Sequence, residues 1–230
     1  MPSVTGGVQD LTSLHSTIAT IRLNAFCHKH NRDSPRSNTH AQHTTVKMTD
    51  KNGLRELKRF ITTHNAEGKA VVDTSIGEVT PAAPIGQGEV VFSLPYVTEQ
   101  FPVDMNNDKD LNNYKKYLSS APGLVNNTGT VVRIVDVGPD SLSPMHRTVS
   151  LDLGIVLEGE LELVLDSGET RLMGPGDQCI QRGTMHAWRN VSKTKWGRML
   201  YVLQPSQPLE VAGQKLGEDL ADMKGVPKST

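Results

Sequence analysis

Gly138-Pro139-Asp140-Ser141-Leu142-Ser143-Pro144-Met145-His146-Arg147-Thr148, running on through Asp152 to Val156-Leu157-Glu158-Gly159, is the stretch that decides the fold. Gly138-Pro139 and Glu158-Gly159 are turn signals, because proline cannot donate to a strand ladder and glycine tolerates positive φ. Between them Leu151–Leu157 is a short β-rich run. Working outward, Thr130–Val137, Leu161–Leu165 and Met199–Leu203 read the same way. Asp166-Ser167-Gly168 and Gly174-Pro175-Gly176 punctuate them. In Glu160-Leu161-Glu162-Leu163-Val164-Leu165 the alternation predicts acids facing water and leucines facing a core. Many short strands at this spacing predict an all-β sandwich or double-sheet barrel.

The same stretch resembles the first conserved motif of the cupin superfamily. Pro175-Gly176-Asp177, followed by Gly183-Thr184-Met185-His186 and Asn190, resembles the second. The resemblance implies an all-β, double-stranded β-helix or jelly-roll barrel over residues 125–205, with an N-terminal arm of short helices and strands. In metal-binding cupins the first motif supplies two histidines and a glutamate, and the second motif supplies a further histidine. Those positions fall here on His146, Thr148, Asp152 and His186. The metal motif is therefore degenerate, since Thr148 replaces a histidine and Asp152 is a methylene shorter than glutamate. Gln181 also stands where the second motif commonly has proline.

Beside a purely structural role for both histidines, two functional readings of the site follow from the resemblance. His146, Asp152 and His186 form a two-histidine, one-carboxylate set suited to iron, manganese, nickel or zinc. The favoured reading uses the same three residues without a cofactor, as acid–base groups in an apolar barrel. Asp152 would then fix the tautomer of one imidazole. Thr148, Gln181, Trp188 and Tyr201 are the expected pocket lining. Arg182 is the candidate for holding a substrate carboxylate. Arg147, adjacent to an inward His146, is expected to face away by strand parity. Asn190 is expected to stabilise a turn, and Cys179 to act as a small buried hydrophobe.

The resemblance implies a small-molecule enzyme of secondary or catabolic metabolism. Decarboxylation or dehydration of an oxygenated, polyketide-like substrate is the leading reaction. A metal-dependent dioxygenase and a non-catalytic metabolite-binding protein are the alternatives. A homodimer is the oligomeric state the resemblance suggests.

The rest of the chain bounds these readings. Across 230 residues, Lys plus Arg number 24 against 25 Asp plus Glu, a net charge of -1. That balance gives no sign of a nucleic-acid surface, and no apolar run is long enough for a membrane helix. Only Cys27 and Cys179 are present, which argues against a disulfide framework and suits a cytoplasmic setting. Residues 1–47 are polar and acid-poor, and read as a disordered tail or dispensable leader, with Met48 as an alternative start. Their stretch 1–30 leaves a weak organelle-targeting signal open, and His28, His30, His40 and His43 read as solvated. Residues 48–124 read as an arm packing on the barrel or a partner. In it, Asp50 would cap a helix carrying Leu54, Leu57, Phe60 and Ile61. Ala70–Asp73 and Val90–Leu94 read as strands, Pro81–Gly88 as a loop, and the segment through Tyr114 and Tyr117 as a short helix. Residues 206–230 read as a loose extension.

Overall fold

The computed structural model describes residues 52–221 and 223–230. The readings for residues 1–47 and Asp50 lie outside that set. Within it, β1 (Thr62–His64) and β2 (Ala70–Val72) form a small hairpin. They are followed by β3 (Ala82–Ile85), β4 (Val90–Val97) and helix α1 (Lys109–Tyr117). The barrel strands are β5 (Val131–Val137), β6 (Ser150–Glu158), β7 (Leu161–Leu165), β8 (Thr170–Met173), β9 (Gln178–Arg182), β10 (His186–Asn190) and β11 (Gly197–Pro205). A last hairpin joins β12 (Leu209–Val211) to β13 (Gln214–Leu216).

One antiparallel sheet has the order β3-β4-β5-β11-β6-β9, and a second the order β10-β7-β8. This is the double-sheet jelly-roll arrangement expected of the strand pattern. Burial alternates in β6, where Ser150, Asp152, Gly154 and Val156 are buried, whereas in β7 Leu161 is buried and the residues after it are half-buried. The four in β6 share one face of the strand, and the two polar members are what turns that face into a site. Two apolar clusters flank it. One gathers Val97, Tyr114, Val125 and Val131, and the other Val156, Leu161, Trp188 and Met199. Tyr201 packs against both.

Three expectations for the flanking segments are corrected. Residues 54–61 are not helical. Lys58 pairs with Val79 as an isolated bridge, and Arg59 N donates to Glu78 O at 2.8 Å. A single amphipathic helix of that length is marginal in water, so pairing with residues 78–80 prevails. Phe60, one of the four residues that suggested the helix, is 63% exposed. The Pro81–Gly88 loop contains a strand, β3, whose register with β4 extends the main sheet. The N-terminal arm is thus built into the sheet.

The C-terminal extension is not loose. Asn127 N donates to Thr230 O, Thr230 N to Val125 O, and Val125 N to Ser229 Oγ. Ser229 Oγ in turn donates to Glu218. This return is possible because residue 123 is glycine: a Cβ there would sit 2.3 Å from Lys228 O. Met223 and Val226 pack on the first apolar cluster, and their burial supplies the free energy that a polar reading of the segment overlooks.

Candidate functional site

The site begins with a backbone pairing. His146 N donates to His186 O at 2.8 Å, and His186 N donates to His146 O at 2.9 Å. This isolated antiparallel bridge joins the loop before β6 to the start of β10. Residues paired in this way project side chains to the same side, and the two imidazole rings lie 4.1 Å apart between centroids. Both rings are buried.

Each ring is tethered identically. His146 Nδ1 lies 2.9 Å from Pro144 O, and His186 Nδ1 lies 2.9 Å from Thr184 O. A carbonyl oxygen only accepts, so Nδ1 is the protonated nitrogen in both rings. Each neutral imidazole therefore keeps its lone pair at Nε2, the form that a general base requires. Asp152 does not fix either tautomer, contrary to expectation; the backbone two residues upstream does so. Burial lowers the pKa of His146 below the ordinary imidazole value. Burial, and then repulsion from His146, pushes His186 down to about 3. A second proton on this pair is strongly disfavoured.

Asp152 shows the opposite displacement. Burial raises its carboxyl to about 6, against the lowering effect of bonds from Ser150 and Thr148. Ser150 Oγ donates to Thr148 Oγ1 at 2.6 Å, and Thr148 Oγ1 donates to Asp152 Oδ2 at 3.1 Å. Thr148, standing at the position of a family ligand histidine, thus serves as a hydrogen-bond relay. Asp152 Oδ1, both amide atoms of Gln181 and Trp188 Nε1 are buried without a partner among the described residues. Gln181 lies opposite Asp152 in the β6–β9 register. Orphaned polar atoms cost about 1–3 kcal/mol each, and these converge on one cavity.

That cavity has a volume of about 650 Å³. His146, Thr148, Asp152, Gln181, His186, Trp188 and Tyr201 all line it, so the structure brings together every expected pocket residue except one. The exception is Arg182, which is exposed on the outer face of β9, one residue out of phase with inward Gln181. The carboxylate-holding role assigned to it is corrected by that parity. Arg147 also points elsewhere, its Nε donating to Gly217 O at 2.8 Å. Trp188 meets His186 and Tyr201 edge-on, with centroid separations of 6.3 and 6.0 Å. Gly154 makes room for this wall, because a Cβ there would lie 3.1 Å from the Tyr201 ring. Asn190 holds a turn, donating to Val137 O and Lys195 O. Cys179 is half-buried, and burial pushes its thiol pKa up.

Sequence reasoning missed further lining groups. Ile85, Val90 and Phe92 come from β3 and β4, and Met223 and Val226 from the C-terminal return. Arg133 on β5 is the buried charged member of this set, beside the exposed Glu89 and Lys224. It shares strand parity with Val131, Val135 and Val137, but the other face carries Val132 and Ile134, so the sequence held no signal for which face is inside.

The three-ligand metal set does not assemble. Among the described residues no three His, Cys, Asp or Glu side chains are grouped so as to hold an ion. Thr148 occupies one family ligand position, and the Asp152 oxygen facing it is engaged by that hydroxyl. Thr148 supplies a hydroxyl where the metal-binding motif has an imidazole.

The pKa of Asp152 makes a testable demand on stability. Its folded value of about 6 lies above the ordinary carboxylate value, so the folded chain retains this proton longer than the unfolded chain. Stability then declines as pH rises through the interval from about 4 to about 6, and the cost is complete above it. Asp152→Asn is therefore expected to stabilise the protein at neutral pH by about 1–3 kcal/mol. Thermal melts at acid and slightly alkaline pH would check this; equal stability of the two proteins at both would refute it.

A family model for the cupin domain matches residues 133–203. Phomopsin biosynthesis cluster protein D of Diaporthe leptostromiformis is 50% identical over 71% of this chain and 86% of its own. Oryzines biosynthesis cluster protein J of Aspergillus oryzae is 44% identical over 74% of this chain and 94% of its own. A cupin-domain-containing oxidoreductase of Hypocrea virens is 44% identical over 69% of this chain and 81% of its own. The paired-histidine barrel, the matched domain and relatives of this identity lead to one conclusion: the chain belongs to the cupin family.

Proposed function

We propose that this cupin is an acid–base lyase of secondary metabolism, eliminating water or carbon dioxide from a small oxygenated substrate. The observation that carries the reading is the His146–His186 backbone bridge, which sets two Nδ1-tethered imidazoles into the same cavity as Asp152. Environments that push two titratable groups in opposite directions mark the base and the acid. Here the imidazoles are held neutral and the carboxyl is held towards its protonated form.

For dehydration, Nε2 of one histidine takes a proton from a carbon beside a carbonyl. The released electron pair forms a carbon–carbon double bond as the adjacent carbon–oxygen bond breaks. Protonated Asp152 gives its proton to the departing oxygen, so water leaves, and the imidazolium proton returns to the carboxylate. For decarboxylation, the carboxylate carbon leaves as carbon dioxide, and an acid of the site protonates the resulting carbanion. Trp188 and Tyr201 supply an apolar wall that strengthens these electrostatic steps by excluding water. Relatives named for phomopsin and oryzine biosynthesis clusters support the metabolic setting.

The experiment is a panel of β-hydroxy and β-keto aromatic acids incubated with the purified chain, with loss of water or carbon dioxide read by mass spectrometry. Turnover by wild type that disappears in Asp152→Asn supports the lyase. Binding without turnover across the panel would favour the non-catalytic alternative.

An oxidative reading draws on the oxidoreductase name of the Hypocrea virens relative. Elemental analysis by plasma mass spectrometry separates the two. The expected result is iron, manganese, nickel and zinc well below one equivalent, unchanged in His146→Ala and His186→Ala. A stoichiometric metal lost in both variants would replace the lyase with a metal-dependent dioxygenase. The homodimer and the cytoplasmic setting belong to the same proposal; sedimentation equilibrium tests the first. Among the described residues no helix is long and apolar enough to cross a membrane.

A further inference from the structure

Arg133 is a charge without a counter-charge. Its side chain is buried at 4% exposure on the inward face of β5 and lines the cavity. Nη2 donates to Gly123 O at 2.9 Å, and the guanidinium carbon stands 4.7 Å from the Phe92 ring centroid. Nε has no partner among the described residues. No carboxylate there makes an ion pair with it.

Arg198 shows how the same fold treats an equally buried arginine. It projects from β11 opposite Asp136, which takes two of its hydrogen bonds, at 2.6 and 2.8 Å. Two backbone carbonyls reached by the same nitrogen, Gly123 O and, at 3.5 Å, Pro122 O, and one ring face are weak compensation by comparison. Burying an unpaired cation costs several kcal/mol, and the cost is visible in Arg133, whose pKa desolvation lowers to about 10. A fold that tolerates this cost beside a ligand-sized cavity retains a charge that a ligand can neutralise.

The other charged or titratable groups facing this cavity do not supply the counter-ion. Asp152 lies on β6, with β11 between it and β5, so the two backbones are about 10 Å apart by strand spacing. Its Oδ2 is engaged by Thr148. Glu89 is exposed and accepts from Gln87 N. Lys224 is an exposed cation, and His146 and His186 favour the neutral form.

We infer that Arg133 is the seat for a carboxylate of the substrate, so that the cavity selects aromatic or alicyclic carboxylic acids over their neutral analogues. Planar guanidinium donors match a carboxylate in a forked geometry that an ammonium cannot reproduce. This inference names the substrate class of the site proposed above and rests on that cavity being the binding site. It does not depend on the reaction being a lyase reaction.

The test is calorimetric titration of wild type with 2-naphthoate and with 2-naphthylmethanol at about pH 8, where imidazoles are neutral. Naphthoate is expected to bind about tenfold to a hundredfold more tightly. In Arg133→Met the ratio is expected to fall to near unity while the alcohol binds as before. Lys224→Met is expected to keep the wild-type ratio. Should Arg133→Met fail to fold, Arg133→Lys decides: a ratio reduced severalfold supports the seat, and an unchanged ratio overturns it. Equal binding of both ligands to wild type, loss of the preference in Lys224→Met, or an equal loss of both ligands in Arg133→Met would each overturn the assignment. Because only binding is read, a panel without turnover refutes the lyase and leaves this result standing.

Discussion

Asp136→Asn is expected to destabilise the fold by about 3–5 kcal/mol, the usual cost of leaving a buried partner charge uncompensated. Arg198 and Asp136 face each other across β11 and β5 with side chains 4% and 7% exposed. The guanidinium spends Nε and Nη2 on the two carboxylate oxygens, and Nη1 on Arg55 O at 2.8 Å. An asparagine keeps the shape but not the charge. Glu158 stands 3.6 Å from Nη1, with its side chain 46% exposed, too solvated to replace Asp136. Urea unfolding at constant slope reads the loss. The double variant Asp136→Leu/Arg198→Met is expected to recover much of it, because neither charge is then stranded. A single-variant loss under about 1 kcal/mol would mean that the pair is not the clamp between these strands.

His186→Gln is expected to lower turnover by about 10²- to 10⁴-fold, the range for losing a group that takes part in proton transfer, because it breaks the neutral imidazole pair. Glutamine preserves volume and polarity, so KM is expected to move far less than kcat. The same variant carries a stability signature that does not require a substrate. The folded pKa of His186, about 3, lies below the ordinary imidazole value, so the unfolded chain binds this proton first on acidification. Its contribution is fully present above about pH 6.5 and is lost as pH falls towards 3. His186→Gln is therefore expected to lose less stability than wild type between neutral pH and about pH 4. Asp152 works in the opposite sense over an overlapping interval, so the comparison is best made in an Asp152→Asn background. Parallel acid limbs in the two proteins would show that His186 is not held neutral by burial.

Much of this was legible beforehand because it depends on local chemistry. The strands at Leu161–Leu165 and 151–157 and the turns at Gly159 and Gly176 follow from period-two alternation and glycine tolerance, while the pocket places of His146, Thr148 and His186 follow from the motif resemblance. The apolar spacing at Leu54, Leu57, Phe60 and Ile61 suits a helix equally well on paper. It yielded to backbone pairing with residues 78–80, a partner that spacing along one segment cannot reveal. Arg133 escaped notice because Val131-Val132-Arg133-Ile134-Val135 is apolar on both faces. Without alternation, no side of that strand is marked as the inside.

The sequence alone determined the all-β barrel, the two histidines that meet in it and the loss of a family ligand at Thr148. The all-β character rests on strand periodicity and turn residues, and the histidine pair and the ligand loss on the resemblance of two short motifs to the cupin family; each acts over a few positions. The tertiary structure alone decided which nitrogen each imidazole protonates, that Asp152 bonds Thr148 rather than a histidine, and that Arg133 rather than Arg182 enters the cavity. Those outcomes depend on cross-strand register and on desolvation by distant segments, including Met223 and Val226 from the chain's end. Burial is a property of the assembled sheets, and the charge state of each group in the site follows from it.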